Sequence, residues 1–211
     1  MIFEIEKEDI LKGLIRQLNV FFSISGAEIN VINSLGDKVF HRCEYNFSKN
    51  KNKYYMRMGE TYFNPYHSGQ YTVFLYYFSN TVFKEEKSHK SLADKLYYLN
   101  RTMNGCDLFY EVELPKIFTL DHPLASVMGR AKFGEYFTFS QTCTVGNNNN
   151  IFPVIGEHVT MSVNSMILGN SKIGNNVILG AGACVKDQDI PDNSMVFGSS
   201  PNLIIKKKKM N

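Results

Sequence analysis

The sequence lacks the features that mark a membrane or secreted protein. Its 211 residues contain no run close to the roughly 18 consecutive apolar residues that a membrane-spanning helix requires. The first residues, MIFEIEKEDI, carry acids where a secretory signal carries basic residues and then an apolar segment. No Cys-x-x-Cys pair occurs among the four cysteines, Cys43, Cys106, Cys143 and Cys184. We therefore expect a cytoplasmic protein with reduced thiols, no membrane span and no bound metal.

Charge also gives little support for a nucleic-acid partner. The net charge is +3, from 23 Lys and Arg against 20 Asp and Glu. The four lysines at 206–209 contribute +4 by themselves, which leaves −1 for the rest of the chain. We interpret residues 206–211 as a basic tail and expect no nucleic-acid-binding body. With 44% hydrophobic and 20% charged residues, the composition is typical of one globular domain or two small ones.

The first half of the chain is typical of helices separated by short breaks. Apolar residues recur at helical spacing over residues 6–23, for example at Ile10, Leu14 and Leu18, and further helices are predicted over residues 27–47 and 91–103. Residues 69–83, GQYTVFLYYFSNTVF, are apolar on all sides. Their β-branched and tyrosine residues would suit a strand, but the length favours a buried helix. We predict a helical N-terminal domain over residues 1–106.

The second half of the chain has a period of six. A compact residue commonly follows each apolar position, as Gly156, Gly174 and Gly180 do, and the fifth position of each hexad is again compact. The apolar positions are Ile155, Met161, Ile167, Ile173, Leu179 and Val185, with the same register upstream at Val127, Phe133, Phe139 and Val145. An isolated pair of this kind carries no information, but a sustained series indicates a repeat architecture.

A strict hexad predicts a β-helix. Three hexads form one turn of a triangular prism of short parallel strands, with the first residue of each hexad in the core and compact residues at the corners. Between Val145 and Ile155 the step is ten, and the extra residues coincide with four asparagines at 147–150, which we interpret as a loop. The predicted fold class is α+β, a helical domain followed by a parallel β-helix over residues 107–205.

Residues 104–205 resemble the catalytic part of the hexapeptide-repeat acyltransferases, and within them the serine O-acetyltransferase branch. The matching segments are GCDLF at 105–109, LDHP at 120–123, TVG at 144–146, FPVIGEHV at 152–159, ILGNSKIGNNVILGAGACV at 167–185 and FGSSP at 197–201. The resemblance implies a left-handed β-helix and direct transfer of an acetyl group from acetyl-CoA to a hydroxyl. Its hexads alone would also fit nucleotidyltransferases and carbonic anhydrases.

The resemblance implies a catalytic role for His122 as general base, paired with Asp107. An alcohol hydroxyl attacks a thioester at neutral pH only with help, and an imidazole that accepts its proton typically contributes about 10² to 10⁴-fold. A carboxylate on the other ring nitrogen fixes the tautomer and stabilises the imidazolium. Because neighbouring side chains in a strand face opposite ways, we assign that role to Asp107 and make Asp121 a candidate for acceptor binding. Alternatively, His122 is a surface loop residue and Asp107 caps a turn.

One position departs from the serine acetyltransferases. Where they have an Arg-His pair that holds the carboxylate of serine, this chain has Ile151 and Phe152 ahead of Pro153. Neither side chain can hydrogen-bond a carboxylate, which argues against serine as the acceptor. An aromatic wall suits a sugar ring, so Phe152 is a candidate acceptor contact or, alternatively, a core residue. His67 is a further candidate for the acceptor pocket.

The donor side matches the family. The resemblance implies that Gly146, Val163 and Ala181 contact acetyl-CoA in the groove between β-helices of a homotrimer, with a dimer of trimers as an open alternative. Close approach of the donor requires compact residues at such positions. The lysines at 206–209 would either meet the 3′-phosphate of CoA or form a solvated tail.

The sequence therefore predicts an acetyl-CoA-dependent O-acetyltransferase that acts on a small or carbohydrate hydroxyl acceptor in surface polysaccharide or glycoconjugate biosynthesis. The enzyme alternative is serine O-acetyltransferase of cysteine biosynthesis. An alternative from another class is an inactive β-helix that serves in assembly or regulation, although His122 and Asp107 are both present. A metal-dependent carbonic anhydrase would need more histidines in the coils than His122 and His158.

Overall fold

A helix-rich unit comes first along the chain and a strand-rich unit second, which confirms the predicted α+β class. A computed structural model describes residues 1–50 and 52–208. These residues form two units: one contains residues 1–104 and 108–111, and the other contains residues 105–107 and the rest of the described chain. Among the described residues, no helix is long and apolar enough to cross a membrane.

Four helices build the N-terminal unit, each within three residues of its predicted limits. They are Lys7–Phe21 (α1), Gly26–Lys49 (α2), Ser68–Glu85 (α3) and Lys90–Asn104 (α4). A capping box begins α2, because the Ser25 hydroxyl accepts the Glu28 N–H at 3.2 Å while the Glu28 carboxylate accepts the Ser25 N–H at 2.8 Å. Residues 70–82 of α3 are all buried, which confirms the prediction of a helix without a solvent-facing side.

A small sheet in the same unit is absent from the sequence prediction. It consists of Ile2–Phe3 (β1), Met56–Arg57 (β2) and Glu60–Phe63 (β3), in the order β1-β3-β2. The buried Gln70 side chain of α3 ties the adjoining backbone together by donating to the carbonyl oxygens of Tyr54 and Tyr62 at 3.0 and 3.1 Å. Strands this short carry no measurable alternation, so the prediction of helices alone was incomplete here.

The second unit is a three-sided parallel β-helix. Face 1 contains β5-β8-β11-β14-β16-β17, face 2 contains β4-β6-β9-β12-β15 and face 3 contains β7-β10-β13, each in sheet order. The strands are Asp107–Leu108 (β4), Phe118–Asp121 (β5), Val127–Met128 (β6), Lys132–Phe133 (β7), Phe137–Ser140 (β8), Thr144–Gly146 (β9), Val154–Ile155 (β10), Thr160–Met161 (β11), Met166–Leu168 (β12), Lys172–Ile173 (β13), Ile178–Leu179 (β14), Cys184–Lys186 (β15), Ser194–Phe197 (β16) and Ile204–Lys207 (β17).

The hexads occupy the predicted places. Three of the register pairs show the same 18-residue turn: Ile155–Ile173, Met161–Leu179 and Ile167–Val185. These side chains are buried, so each turn of three hexads adds one layer to the core. Glycines allow the layers to approach closely: a Cβ on Gly134 would lie 2.4 Å from the carbonyl carbon of Gly156 in the next turn.

One predicted core position needs correction. Val127 was predicted to face the core, but it is 41% exposed, and Met128, 1% exposed, takes the inward place opposite Val145. The reason is a shorter spacing at this point, where the step from Met128 to Phe133 is five positions rather than six.

The predicted basic tail also begins too early. Lys206 and Lys207 lie in β17, which pairs antiparallel with β16 through Met195–Lys206 and Ser194–Lys207. An edge strand that carries lysines resists pairing with other chains, so a charge run fits this strand as well as it fits a solvated tail. Lys209 lies outside the described residues.

Candidate active site

The three corners of the β-helix determine which predicted site residues lie together. We call the turn from face 1 to face 2 corner 1, from face 2 to face 3 corner 2, and from face 3 to face 1 corner 3. In successive turns corner 1 contains residues 122–126, 141–143, 162–165 and 180–183. Corner 2 contains residues 129–131, 147–153 and 169–171, and corner 3 contains residues 134–136, 156–159 and 174–177.

His122 is the first residue of corner 1. Strand β5 ends at Asp121, and His122 has a left-handed backbone with φ of 50°. Its carbonyl oxygen accepts the Leu124 N–H at 2.7 Å, which closes a tight turn. Its side chain is 86% exposed, so the imidazole is available to a ligand at this corner.

Asp121 lies closer to His122 than strand geometry suggests. The alternation argument assumes that both residues belong to a strand, and the left-handed His122 does not. The Asp121 Oδ1 is 3.9 Å from the His122 Nε2. That distance is too long for a hydrogen bond but short enough for electrostatic interaction across an exposed surface. The argument that excluded Asp121 as a partner of the histidine was therefore wrong, while the assignment to Asp107 stays a prediction.

Asp107 lies on the first turn of the same β-helix. Its N–H donates to the carbonyl oxygen of Ser126 at 2.8 Å, and the Ala125 N–H donates to that of Gly105 at 2.7 Å. These bonds join residues 105–107 to the last part of corner 1. Asp107, Asp121 and His122 thus belong to segments that meet at corner 1.

Val163 and Ala181 lie farther along the same corner. The Gly182 N–H donates to the Val163 carbonyl oxygen at 3.0 Å, which stacks one turn directly on the other. Both Val163 and Ala181 are exposed. These two compact residues, on later turns of the corner that begins with His122, form a surface along which an extended ligand could lie against the backbone.

Gly146 and Phe152 lie elsewhere, the first directly before corner 2 and the second within it. Gly146 ends β9, and Phe152 belongs to the segment 147–153, which we call the asparagine loop. Asn148 and Ile151 close this loop with two mutual backbone bonds of 3.1 and 3.0 Å, and Asn149 and Asn150 between them are left-handed. This confirms the loop predicted from the asparagine run. Ile151 and Phe152 are 48% and 41% exposed, so neither is a core residue.

Two other histidines, His158 and His67, contact neighbouring residues of their own units. His158 lies at corner 3 and stacks on Tyr136, with ring centroids 4.4 Å apart and an interplanar angle of 7°. His67 belongs to the N-terminal unit, where its Nδ1 accepts the Gln70 N–H at 3.3 Å and caps α3. Burial lowers the pKa of His67.

Three of the four cysteines are poorly placed to act as nucleophiles. Cys43, Cys106 and Cys143 are buried. Burial raises the pKa of Cys106 to about 12 and raises the pKa of Cys43 further. Buried thiols that stay protonated at neutral pH are poor nucleophiles.

One interaction at corner 2 is not foreseeable from the sequence. The Asp187 carboxylate accepts a hydrogen bond from the Asn148 side chain at 2.6 Å. The two residues are 39 positions apart, and neither belongs to a motif. Only the stacking of turns brings them together.

Residues 152–187 match the family model "Bacterial transferase hexapeptide (six repeats)". The chain is 32% identical over 123 residues to "Putative colanic acid biosynthesis acetyltransferase WcaB" of Escherichia coli strain K12, covering 54% of this chain and 75% of that protein. It is 30% identical over 108 residues to a serine acetyltransferase of Synechococcus elongatus, covering 49% of this chain and 44% of that protein.

The fold is similar to that of a solved serine acetyltransferase. The structure from Brucella abortus strain S19 in complex with coenzyme A superposes with a TM-score of 0.72, at 17% identity, over 98% of this chain and 84% of that chain. This likeness extends over both the helices and the β-helix.

Proposed function

The chain belongs to the hexapeptide-repeat acyltransferases, in the branch that includes the serine acetyltransferases, and we propose that it transfers the acetyl group of acetyl-CoA to a carbohydrate hydroxyl. Family membership implies that the β-helix is left-handed. The observation that carries the proposal is corner 1, where the Asp121 carboxylate lies 3.9 Å from an exposed imidazole, residues 105–107 are bonded to the same corner, and Val163 and Ala181 are exposed on later turns.

His122 is the proposed general base. It accepts the proton of the acceptor hydroxyl as the oxygen attacks the thioester carbonyl, and it returns that proton to the sulfur when the carbon–sulfur bond breaks. Acetyl ester and free CoA thiol are the products, and the histidine ends neutral. Asp107 is the proposed orienting carboxylate, which favours the tautomer that accepts the proton and stabilises the imidazolium. Asp121 is proposed to contact the acceptor.

Gly146, Val163 and Ala181 are the proposed donor contacts. Val163 and Ala181 are exposed on adjacent turns of corner 1 and have side chains short enough for a ligand to reach the backbone. A Cβ on Gly146 would lie 3.4 Å from the Leu168 side chain, an ordinary van der Waals contact, so packing within the chain does not by itself require a glycine there. A solved serine acetyltransferase of similar fold was determined in complex with coenzyme A, which supports acetyl-CoA as the donor.

A carbohydrate is the proposed acceptor because the asparagine loop presents apolar side chains. Ile151 and Phe152 are both about half-exposed and offer no donor to a carboxylate. An exposed aromatic ring can pack against the apolar face of a sugar, and a sugar hydroxyl needs the same base as serine does. A relative named for colanic acid biosynthesis rather than for serine supports a non-serine acceptor.

A homotrimer is the proposed active form. Within one chain, His122, Asp107, Asp121, Val163 and Ala181 lie along corner 1, whereas Gly146 and Phe152 lie at corner 2. Packing of one chain's corner 1 against a second chain's corner 2 would unite the two sets in a single cleft. A dimer of trimers remains an alternative for the complete assembly.

Serine is the second candidate acceptor. The observation in its favour is that curated relatives include serine acetyltransferases. Serine would then need a carboxylate partner other than the two side chains at 151 and 152. An inactive assembly protein is the candidate from another class, and it is disfavoured by the presence of both His122 and Asp107.

Release of CoA thiol from acetyl-CoA tests the chemistry. We expect His122→Ala to lower the turnover rate by about 10² to 10⁴-fold without loss of folded structure, because the side chain is exposed. His158→Ala is the matched control, since His158 is an exposed histidine with the same left-handed backbone at another corner. Equal activity of His122→Ala and wild type would overturn the assignment of the base.

A further inference from the structure

We infer that Asp187 is a positioning residue that fixes the asparagine loop and, through it, the side chains of Ile151 and Phe152. The inference rests on the proposed function, in which those two side chains form the acceptor wall. Asp187 lies one turn beyond residues 169–171 on the same corner of the β-helix. It is the last residue of the segment that matches the hexapeptide family model and is outside the proposed catalytic set.

The Asp187 carboxylate bridges the loop and the β-helix. One oxygen, Oδ2, accepts the Asn148 side-chain N–H at 2.6 Å, and the other, Oδ1, accepts the Asn170 backbone N–H at 2.8 Å. The Asp187 N–H itself donates to the Leu168 carbonyl oxygen at 3.1 Å. One backbone bond and one carboxylate bond therefore hold Asp187 against the preceding turn, and its second carboxylate oxygen accepts from the loop. Charge-assisted bonds of this kind are stronger than neutral ones.

Gly169 provides the space for this bridge. It is left-handed, with φ of 66°, and a Cβ there would lie 2.1 Å from the Asp187 Oδ1 and 2.6 Å from the Asn148 Cβ. Both partners thus pack onto the same bare backbone, and any side chain at 169 would displace them. The asparagine loop and the Asp187 carboxylate therefore pack against the same glycine of the β-helix.

Fixing Asn148 also fixes the apolar end of the loop. The two backbone bonds between Asn148 and Ile151 hold them as a pair, and Phe152 follows directly. The hydrogen bond from the Asn148 side chain to Asp187 therefore fixes the position of the loop tip relative to the stacked turns of the β-helix. We expect its loss to weaken acceptor binding while leaving the step at His122 intact.

Asp187→Asn is the variant that separates the two bonds. Its remaining carbonyl oxygen can still accept the Asn170 N–H, but the loop bond loses its charged acceptor, because two facing amides can form only a neutral hydrogen bond after the Asn148 amide turns over. The double variant Asn148→Asp with Asp187→Asn restores a charged acceptor, with the hydrogen bond in the reverse sense. Asp192→Asn is the matched control, because Asp192 accepts the Asn175 N–H at 2.6 Å and packs onto Gly174 at corner 3, away from the loop.

Two readouts test the inference on the full-length protein. Hydrogen exchange at the Ile151 amide should be about three- to tenfold faster in Asp187→Asn, return to the wild-type rate in the double variant and stay unchanged in Asp192→Asn. With methyl glucoside, UDP-glucose and UDP-galactose as acceptors, KM for the best of the three should rise about three- to tenfold in Asp187→Asn at nearly constant kcat.

The exchange readout does not depend on catalysis, so it separates failure of this inference from failure of the proposed function. Unchanged exchange at Ile151 in Asp187→Asn would overturn the anchoring. Faster exchange with an unchanged KM would overturn the positioning role. Faster exchange and a higher KM, both reversed in the double variant, would establish it.

Discussion

The local chemistry at His122 depends on which carboxylate serves it. Asp121 approaches the Nε2 to 3.9 Å from an exposed position, and Asp107 lies on the neighbouring segment that is bonded to corner 1. An exposed pair at that distance contributes little by itself, because water screens it. We therefore expect the two carboxylates to have different roles. Asp107 would act on the His122 ring, and Asp121 would act on the acceptor.

Asparagine substitutions distinguish these two roles. We expect Asp107→Asn to lower kcat by about 10²-fold or more, because the wrong tautomer and an unsupported imidazolium would result. Asp121→Asn should instead raise KM for the acceptor and leave kcat within a few fold. Steady-state kinetics of thiol release measures both effects. The reverse pattern, with kcat lost in Asp121→Asn alone, would make Asp121 the partner of the histidine.

At the scale of single residues, the motifs predicted which side chains belong to the candidate site better than they predicted how those residues are oriented. His122 and its two neighbouring carboxylates are recognisable from their motifs, but the strand rule failed at the pair because His122 turns left-handed directly after β5. Val127 failed for a related reason, since a short turn moved the inward place to Met128. The partnership of Asp187 and Asn148 had no signal at all, because it arises only when turns stack.

The helices and the β-helix strands were predictable because each carries a repeated period. The three-stranded sheet of the N-terminal unit was not, since β1 and β2 have two residues each. One feature of α3 also lies beyond a hydrophobic pattern: its first turn is capped by a histidine, with the His67 Nδ1 accepting the Gln70 N–H. An imidazole can cap a helix only while that nitrogen is unprotonated.

This cap makes the stability of α3 depend on pH. Because burial lowers the pKa of His67 in the folded protein, its contribution is fully present above the unfolded value of about 6.5 and is lost as pH falls toward the lowered pKa. His67→Asn keeps a capping side chain that does not titrate. We expect wild type to lose more unfolding free energy than His67→Asn between about pH 8 and about pH 5.

Denaturant unfolding followed by helical circular dichroism measures that difference. His67→Ala serves as the control for the cap itself, and it should cost about 1 kcal/mol at about pH 8. The same pH dependence in wild type and His67→Asn would show that the cap does not titrate in this range.

For the whole molecule, the distribution of site residues over two corners leads to a prediction about assembly. If one chain supplies corner 1 and another supplies corner 2, two inactive variants should complement each other. We expect His122→Ala and Gly146→Val each to be inactive, the first without its base and the second with a bulkier side chain on its proposed donor surface. Mixed trimers of the two should regain part of the wild-type activity.

Refolding the two variants together, followed by the thiol-release assay, measures this complementation. Each variant refolded alone is the control, and sedimentation should give three times the chain mass of 24.1 kDa. Activity in a single chain, or a mixture no more active than its parts, would place the complete site within one chain.

The central claim is acetyl transfer to a carbohydrate hydroxyl rather than to serine. The most direct measurement is thiol release from acetyl-CoA with L-serine, methyl glucoside, UDP-glucose and UDP-galactose as acceptors, using His122→Ala as the blank. Because Ile151 and Phe152 offer no carboxylate partner, we predict turnover with a sugar and none with serine. Turnover with serine at enzymatic rates, and none with any sugar, would contradict the account.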